Sequence, residues 1–138
     1  MRRIDEIIIH CSATAEGKDW KAKDIDKWHK QKGWKGIGYH YVVDLDGTIE
    51  KGRDENAIGA HCTGHNEHSI GVVYVGGLAK DGKTPKDTRT EEQKEALWSL
   101  LRQLLCKYPK AVICGHNEFA KKDCPCFNVK EEYDIINL

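Results

Sequence analysis

Three side chains able to hold a metal ion stand out from the sequence: His10, His116 and Cys124. A zinc site takes neutral imidazole and thiolate donors, and a catalytic one uses three protein ligands with the fourth position open. Two histidines and one cysteine meet that count. His10 ends the apolar run Ile7-Ile8-Ile9, and His116 closely follows the run Ala111-Val112-Ile113-Cys114. If both runs are strands and neighbours in one sheet, the two imidazoles come together and Cys124 reaches them from a loop. The plainer reading of either histidine is a polar residue that stops a strand.

The rest of the chain reads as elements that could build such a sheet. Ile4 to His10 is apolar on both faces, which suits a strand buried in mid-sheet. Lys21 to Lys32 places Ile25, Trp28 and His29 on one side of a helix, with Gly33 suited to a left-handed C-terminal stop. Tyr39 to Asp44 is a β-rich run, and Asp46-Gly47 reads as a two-residue hairpin turn into Thr48-Ile49-Glu50. Ser69 to Val75 is a further strand, and Lys80 to Asp87 an exposed loop. Thr90-Glu91-Glu92-Gln93 is a capping box for a helix that repeats Leu97, Leu100, Leu101, Leu104 and Leu105 on one face and stops before Pro109. Val129 to Ile136 reads as a last short helix. Strands alternating with helices predict an α/β fold, a central mixed β-sheet flanked by helices, and argue against an all-antiparallel topology.

With 138 residues, residues 1–138 are expected to form one domain with its own core. Lys+Arg and Asp+Glu balance at 22 each, so no overall basic bias points to nucleic acid. Lysines crowd between Lys18 and Lys35; they read as a solvated helix face or, more sharply, as a local positive face toward an anionic polymer. Asp5 and Glu6 break the apolar stretch after Met1-Arg2-Arg3, leaving it far short of a signal-peptide core or membrane helix. The expectation is synthesis in the cytoplasm, with Cys11, Cys62, Cys106, Cys114, Cys124 and Cys126 as reduced thiols or ligands.

Five segments, in order, carry a resemblance. They are Ile8-Ile9-His10-Cys11-Ser12-Ala13-Thr14; Gly38-Tyr39-His40-Tyr41-Val42-Val43 with Asp46-Gly47 and Gly52-Arg53; Gly59-Ala60-His61 through Gly64-His65-Asn66; Ser69-Ile70-Gly71-Val72; and Gly115-His116 with Lys122-Asp123-Cys124-Pro125. Over nearly its whole length the chain resembles the zinc-dependent N-acetylmuramoyl-L-alanine amidases of the phage endolysin type, which share a fold with the peptidoglycan recognition proteins. The resemblance implies that His10, His116 and Cys124 hold Zn2+ and that Tyr39 and Lys122 are the two catalytic residues outside the ligand set. A cysteine just before a proline and two residues after the lysine selects Cys124 over Cys126 and Lys122 over Lys121. Cys126 departs from relatives that carry a small polar residue there. His61 and Asn66 fall where a substrate groove would run.

The implied reaction is hydrolysis of the amide between the lactyl group of N-acetylmuramic acid and the L-alanine of the stem peptide. An amide is a poor electrophile, and Lewis acidity with an activated water is what a three-ligand zinc site offers. Lys122, a compact ammonium, suits a developing oxyanion. The Tyr39 phenol suits a hydrogen bond to the attacking water or the intermediate, or a proton relay to the leaving nitrogen. On a regular strand Tyr39 and His40 face opposite ways, so Tyr39 is assigned to the site and His40 to its surroundings or the core. His29 reads as a helix-surface residue, His65 and His68 as loop polar groups. Cys11, Cys62, Cys106 and Cys114 read as small buried hydrophobes.

The expected partner is bacterial peptidoglycan, with no nucleic acid and no membrane segment, and the chain is expected to be monomeric. It would reach the wall after release by a lysis partner or through a secretion apparatus. Two other classes remain: a non-catalytic muropeptide-binding module, and a hydrolase using Cys124 or Cys126 as nucleophile with His116 as base. A zinc-finger-like binder is disfavoured, because paired C-x-x-C ligands are absent.

Overall fold

The computed structural model describes residues 2–133. In chain order the elements are β1 (Glu6–Cys11), β2 (Thr14–Ala15), α1 (Ala22–Gln31), β3 (Tyr41–Val43), β4 (Ile49–Lys51), β5 (Ser69–Tyr74), β6 (Gly77–Leu78), α2 (Glu91–Lys107), β7 (Val112–Gly115) and α3 (Val129–Glu132). The main sheet has the order β4-β3-β5-β1-β7. Strands β3, β5, β1 and β7 run parallel, and β4 closes one edge antiparallel to β3. This is the mixed sheet with flanking helices that the alternating pattern predicts. A small parallel pair, β2 with β6, extends the paths of β1 and β5.

Strand periodicity divides the side chains between two layers. Ile7 and Ile9 join Val43, Ile70, Val72, Tyr74 and Ile113 in a core closed by Leu97, Leu100, Leu101 and Leu104 of α2 and by Val129 and Tyr133. Burying each such leucine contributes about 1.5–3 kcal/mol. The opposite face holds two smaller groups. Val42, Val73 and Val75 pack on Ile25 of α1, while Ile8 packs with Cys62 and Cys114. Helix α2 starts where its capping box predicts: Thr90 Oγ1 accepts from the Gln93 amide at 3.0 Å, and Gln93 Oε1 accepts from the Thr90 amide at 2.9 Å. The Gln93 Nε2 then donates to the carbonyls of Val43 and Val75, tying the helix to the sheet.

Several local expectations are corrected. The hairpin between β3 and β4 is not a two-residue turn. The Asp44 amide still donates to the Thr48 carbonyl, leaving Leu45, Asp46 and Gly47 as a three-residue loop with Gly47 at φ 88°. That loop takes the left-handed residue at its last position, where only glycine is free of Cβ strain. His29 is buried rather than on the helix surface, because its Nδ1 accepts the Gly38 amide at 2.9 Å. Cys106 is exposed on the outer side of α2, whereas Cys11, Cys62 and Cys114 are buried. The last helix spans Val129–Glu132, and the expected continuation to Ile136 lies outside the described residues.

Candidate metal centre and its groove

The parallel register of β1 and β7 assembles the site. The final pairing is Ile9 with Gly115, so the next residues on the two strands, His10 and His116, lie side by side. Beyond Gly115 the chain turns into one turn of 3-10 helix, His116–Glu118, and returns through Lys122 and Cys124. Nδ1 of His10 lies 3.2 Å from Nδ1 of His116 and 3.9 Å from Sγ of Cys124. One ligand atom from each of the three residues falls within 4.8 Å of the others. Among the described residues this is the one His/Cys/Asp/Glu group with that property.

The donor set fits zinc. Tetrahedral coordination with ordinary zinc–nitrogen and zinc–sulfur bonds puts the nitrogens about 3.3 Å apart and nitrogen and sulfur about 3.6 Å apart, near the observed separations. The protonation states fit as well. Burial, then neighbouring His61 and His116, holds His10 well below the ordinary histidine range, and burial with Lys122 lowers His116. Both imidazoles therefore offer lone pairs at neutral pH. The Cys124 thiol is lowered, against burial, by hydrogen bonds from the side chain and the amide of Cys11, the amide standing 3.1 Å from the sulfur. The same contact pushes the Cys11 thiol up to about 12.

Cys126 stays outside this group. Its thiol faces the Gly77 carbonyl at 3.2 Å and the Cys11 sulfur at 3.9 Å, and it is raised chiefly by its contact with Cys11. Cys126 itself sits at φ 72°.

The His10–His116–Cys124 group opens onto a cleft of about 540 Å³. Tyr39, His61, Asn66, Lys122, Trp28, Lys32 and Trp34 share its lining with His116 and Cys124. The Tyr39 ring stands 5.0 Å from the His10 ring, and its hydroxyl has no hydrogen-bond partner among the described residues. Burial, then Cys124 and Cys11, raises its phenol pKa, so it remains a proton donor. Lys122 is exposed and makes no ion pair among the described residues, unlike Lys30, Lys86 and Lys107. From the lysine-rich stretch, Lys32 is held over the Trp28 ring at 4.1 Å and the Trp34 ring at 5.2 Å on the cleft wall. Trp34 carries no signal of its own in the sequence; the turn after α1 brings it to the cleft.

His40 belongs to the core. Its Nδ1 accepts the Gly71 amide at 3.0 Å, and its Nε2 donates to the Ala57 carbonyl at 2.8 Å. Asn66 shapes the loop it begins from, its Oδ1 accepting the amides of His61 and Cys62. His61 turns its ring toward His10, with 2.8 Å between their nitrogens. His65 is more than a loop polar group: it contacts Glu6 at 2.9 Å and stacks on Phe119.

Comparison with known proteins agrees with this architecture. The sequence model of the family described as N-acetylmuramoyl-L-alanine amidase matches residues 1–127. The chain is 45% identical over 134 residues to the endolysin of Escherichia phage T7, covering 97% of this chain and 88% of that protein. Its structure is similar to that of the N-acetylmuramoyl-L-alanine amidase LysC from Clostridium intestinale, with a TM-score of 0.83, 30% identity, and coverage of 99% of this chain and 87% of that one. Drosophila PGRP-LB shares the fold at a TM-score of 0.75 and 24% identity, covering 98% of this chain and 81% of that one. A family match over most of the chain, with relatives aligned almost end to end, shows that this protein belongs to the N-acetylmuramoyl-L-alanine amidase family.

Proposed function

We propose that this protein is a zinc-dependent N-acetylmuramoyl-L-alanine amidase that cleaves the lactyl–L-alanine amide of peptidoglycan. The observation that carries this reading is the convergence of His10, His116 and Cys124 at one end of a cleft that Tyr39 and Lys122 also line. His10, His116 and Cys124 would hold the ion. Zinc, when bound, supplies Lewis acidity that polarises a carbonyl and lowers the pKa of water.

The other cleft residues would take the remaining tasks. The ammonium of Lys122, a lining residue of the cleft without an ion pair among the described residues, would stabilise the charge that develops on the carbonyl oxygen. Tyr39, kept as a phenol, donates a hydrogen bond to the attacking water or the intermediate. The wall formed by Trp28, Lys32 and Trp34 offers apolar faces and one positive charge to a substrate with sugar and acidic peptide parts. The chain would meet that substrate at the cell wall, after release by a lysis partner or through a secretion apparatus.

Digestion of purified peptidoglycan tests the reading. Mass spectrometry should find intact stem peptides with a new L-alanine amino terminus and no new reducing sugar ends. Cuts within the peptide, or shortened glycans, would overturn it. Chelation should abolish the reaction and added zinc restore it. A cysteine-nucleophile hydrolase would instead survive chelation and succumb to a thiol alkylator, and a binding module would retain wall affinity while releasing nothing.

A further inference from the structure

His61 contacts the three-residue group through His10 at the floor of the cleft. Its Nδ1 is 2.8 Å from Nε2 of His10, and its Nε2 is 3.2 Å from the Ser69 hydroxyl. Both ring nitrogens are thus engaged by protein atoms, and the residue is only 9% exposed. The two imidazoles meet edge to face, 4.9 Å between centroids and 88° between planes. The backbone leaves room for this ring. A Cβ on Gly71, inside β5, would fall 2.6 Å from Cδ2 of His61, and one on Gly59 would fall 2.7 Å from the same atom. Glycine inside a strand ordinarily weakens it or marks a close approach; here the approaching group is the His61 ring.

The chain His10–His61–Ser69 has two self-consistent proton arrangements. In one, His10 Nε2–H donates to Nδ1 of His61, and His61 Nε2–H donates to the Ser69 oxygen. Nδ1 of His10 then keeps its lone pair toward His116 and Cys124. In the other, every proton is reversed, and a protonated Nδ1 of His10 has no lone pair for a metal. We infer that His61 is a positioning residue for the metal centre: it accepts the Nε2 proton of His10, holds that ring, and so presents Nδ1 to the ion, leaving no nitrogen for substrate. The inference rests on the zinc-centre reading above. Outer partners of this kind typically change metal affinity or activity by about 10–100-fold.

Zinc affinity by chelator competition, cobalt-substituted absorption spectra and steady-state kinetics on the full chain provide the test. Wild-type protein taking up no zinc would overturn both the metal-centre reading and this inference. With zinc bound by the wild type, His61→Leu is expected to weaken it about 10–100-fold and to shift the cobalt ligand-field bands, with KM near wild type. His61→Asn, whose Oδ1 can take the place of Nδ1 and accept the same proton, should recover most of the affinity. Unchanged zinc affinity and cobalt bands in His61→Leu would overturn the inference, and a raised KM with intact metal binding would make His61 a substrate contact instead. If His61→Leu does not fold, His61→Ala against His61→Asn carries the comparison, and equal zinc affinities in that pair overturn it.

Discussion

The two faces of the central sheet are built from the same strands on opposite physical terms. Strand β1 sends Ile7 and Ile9 to one side, into an apolar layer with α2 built mostly of aliphatic side chains together with Tyr41, Tyr74, Tyr108 and Tyr133. To the other side it sends Ile8 and then His10, which meets Tyr39, His61 and His116. The first face is stabilised by area removed from water, which tolerates exchange of one hydrophobe for another of similar volume. The second depends on directed contacts between buried polar groups, each of which needs its own partner. The faces meet at Cys11, which lies in the apolar layer and donates its amide to the Cys124 sulfur, so substitutions away from that contact are the ones that perturb stability and the site separately.

The largest expected effect is on the polar face. His10→Ala or Cys124→Ala should remove nearly all bound zinc and all hydrolysis, measured by metal analysis and product release, while Cys126→Ser keeps both. Full zinc occupancy in Cys124→Ala would break the ligand assignment.

On the apolar face, Leu101→Ala opens a cavity in a fully buried position and should cost about 2–5 kcal/mol of stability. Denaturant unfolding measures that cost. The folded fraction should keep wild-type zinc affinity, and an altered affinity would show that the two faces are coupled.

Within the cleft, Lys122→Ala and Tyr39→Phe should retain zinc and lose roughly two orders of magnitude in kcat, equivalent to about 3 kcal/mol of transition-state stabilisation. Lys121→Ala, one residue away, should stay near wild type. Equal dispensability of both lysines would reduce Lys122 to a loop charge.

The smallest effect concerns a polar pair at the edge of the α1 face. Burial, then the adjacent Glu50 carboxyl, raises Asp44 to about 7, and its buried Oδ1 has no partner among the described residues. An acid raised on folding binds more protons folded than unfolded, so its contribution falls as pH rises from about 4 to about 7 and levels off above. Asp44→Asn should flatten that part of the pH–stability profile and be relatively more stabilising at pH 8 than at pH 5. Thermal melts at both values check the sign, and an unchanged profile would remove Asp44 from the account.

Much of this was legible before the fold was seen. The apolar runs at β1, β5 and β7, the capping box at Thr90 and the leucine stripe of α2 are local signals, set by periodicities of two and 3.6 and by caps within a few residues. The residue types at His10, His116 and Cys124 likewise mark a possible donor set, and the fold gathers the three. The β3–β4 turn was misjudged by one residue because Asp-Gly suits several loop lengths. The core placement of His40 agrees with the structure, whereas His29 reads as a surface residue because its partner, the Gly38 backbone amide, leaves no side-chain pattern.

The sequence by itself determined the elements and the two-faced alternation of β1, because those follow from contacts between near neighbours in the chain, and it supplied the residue types able to act as donors. Tertiary structure alone decided which nitrogen of His10 meets His116, how near Cys124 comes to that pair and that His61 takes up the other nitrogen of His10. Those outcomes depend on parallel strand register and loop closure across separations of 106 and 114 residues. At that range only the packed sheet selects the angle at which one side chain reaches another.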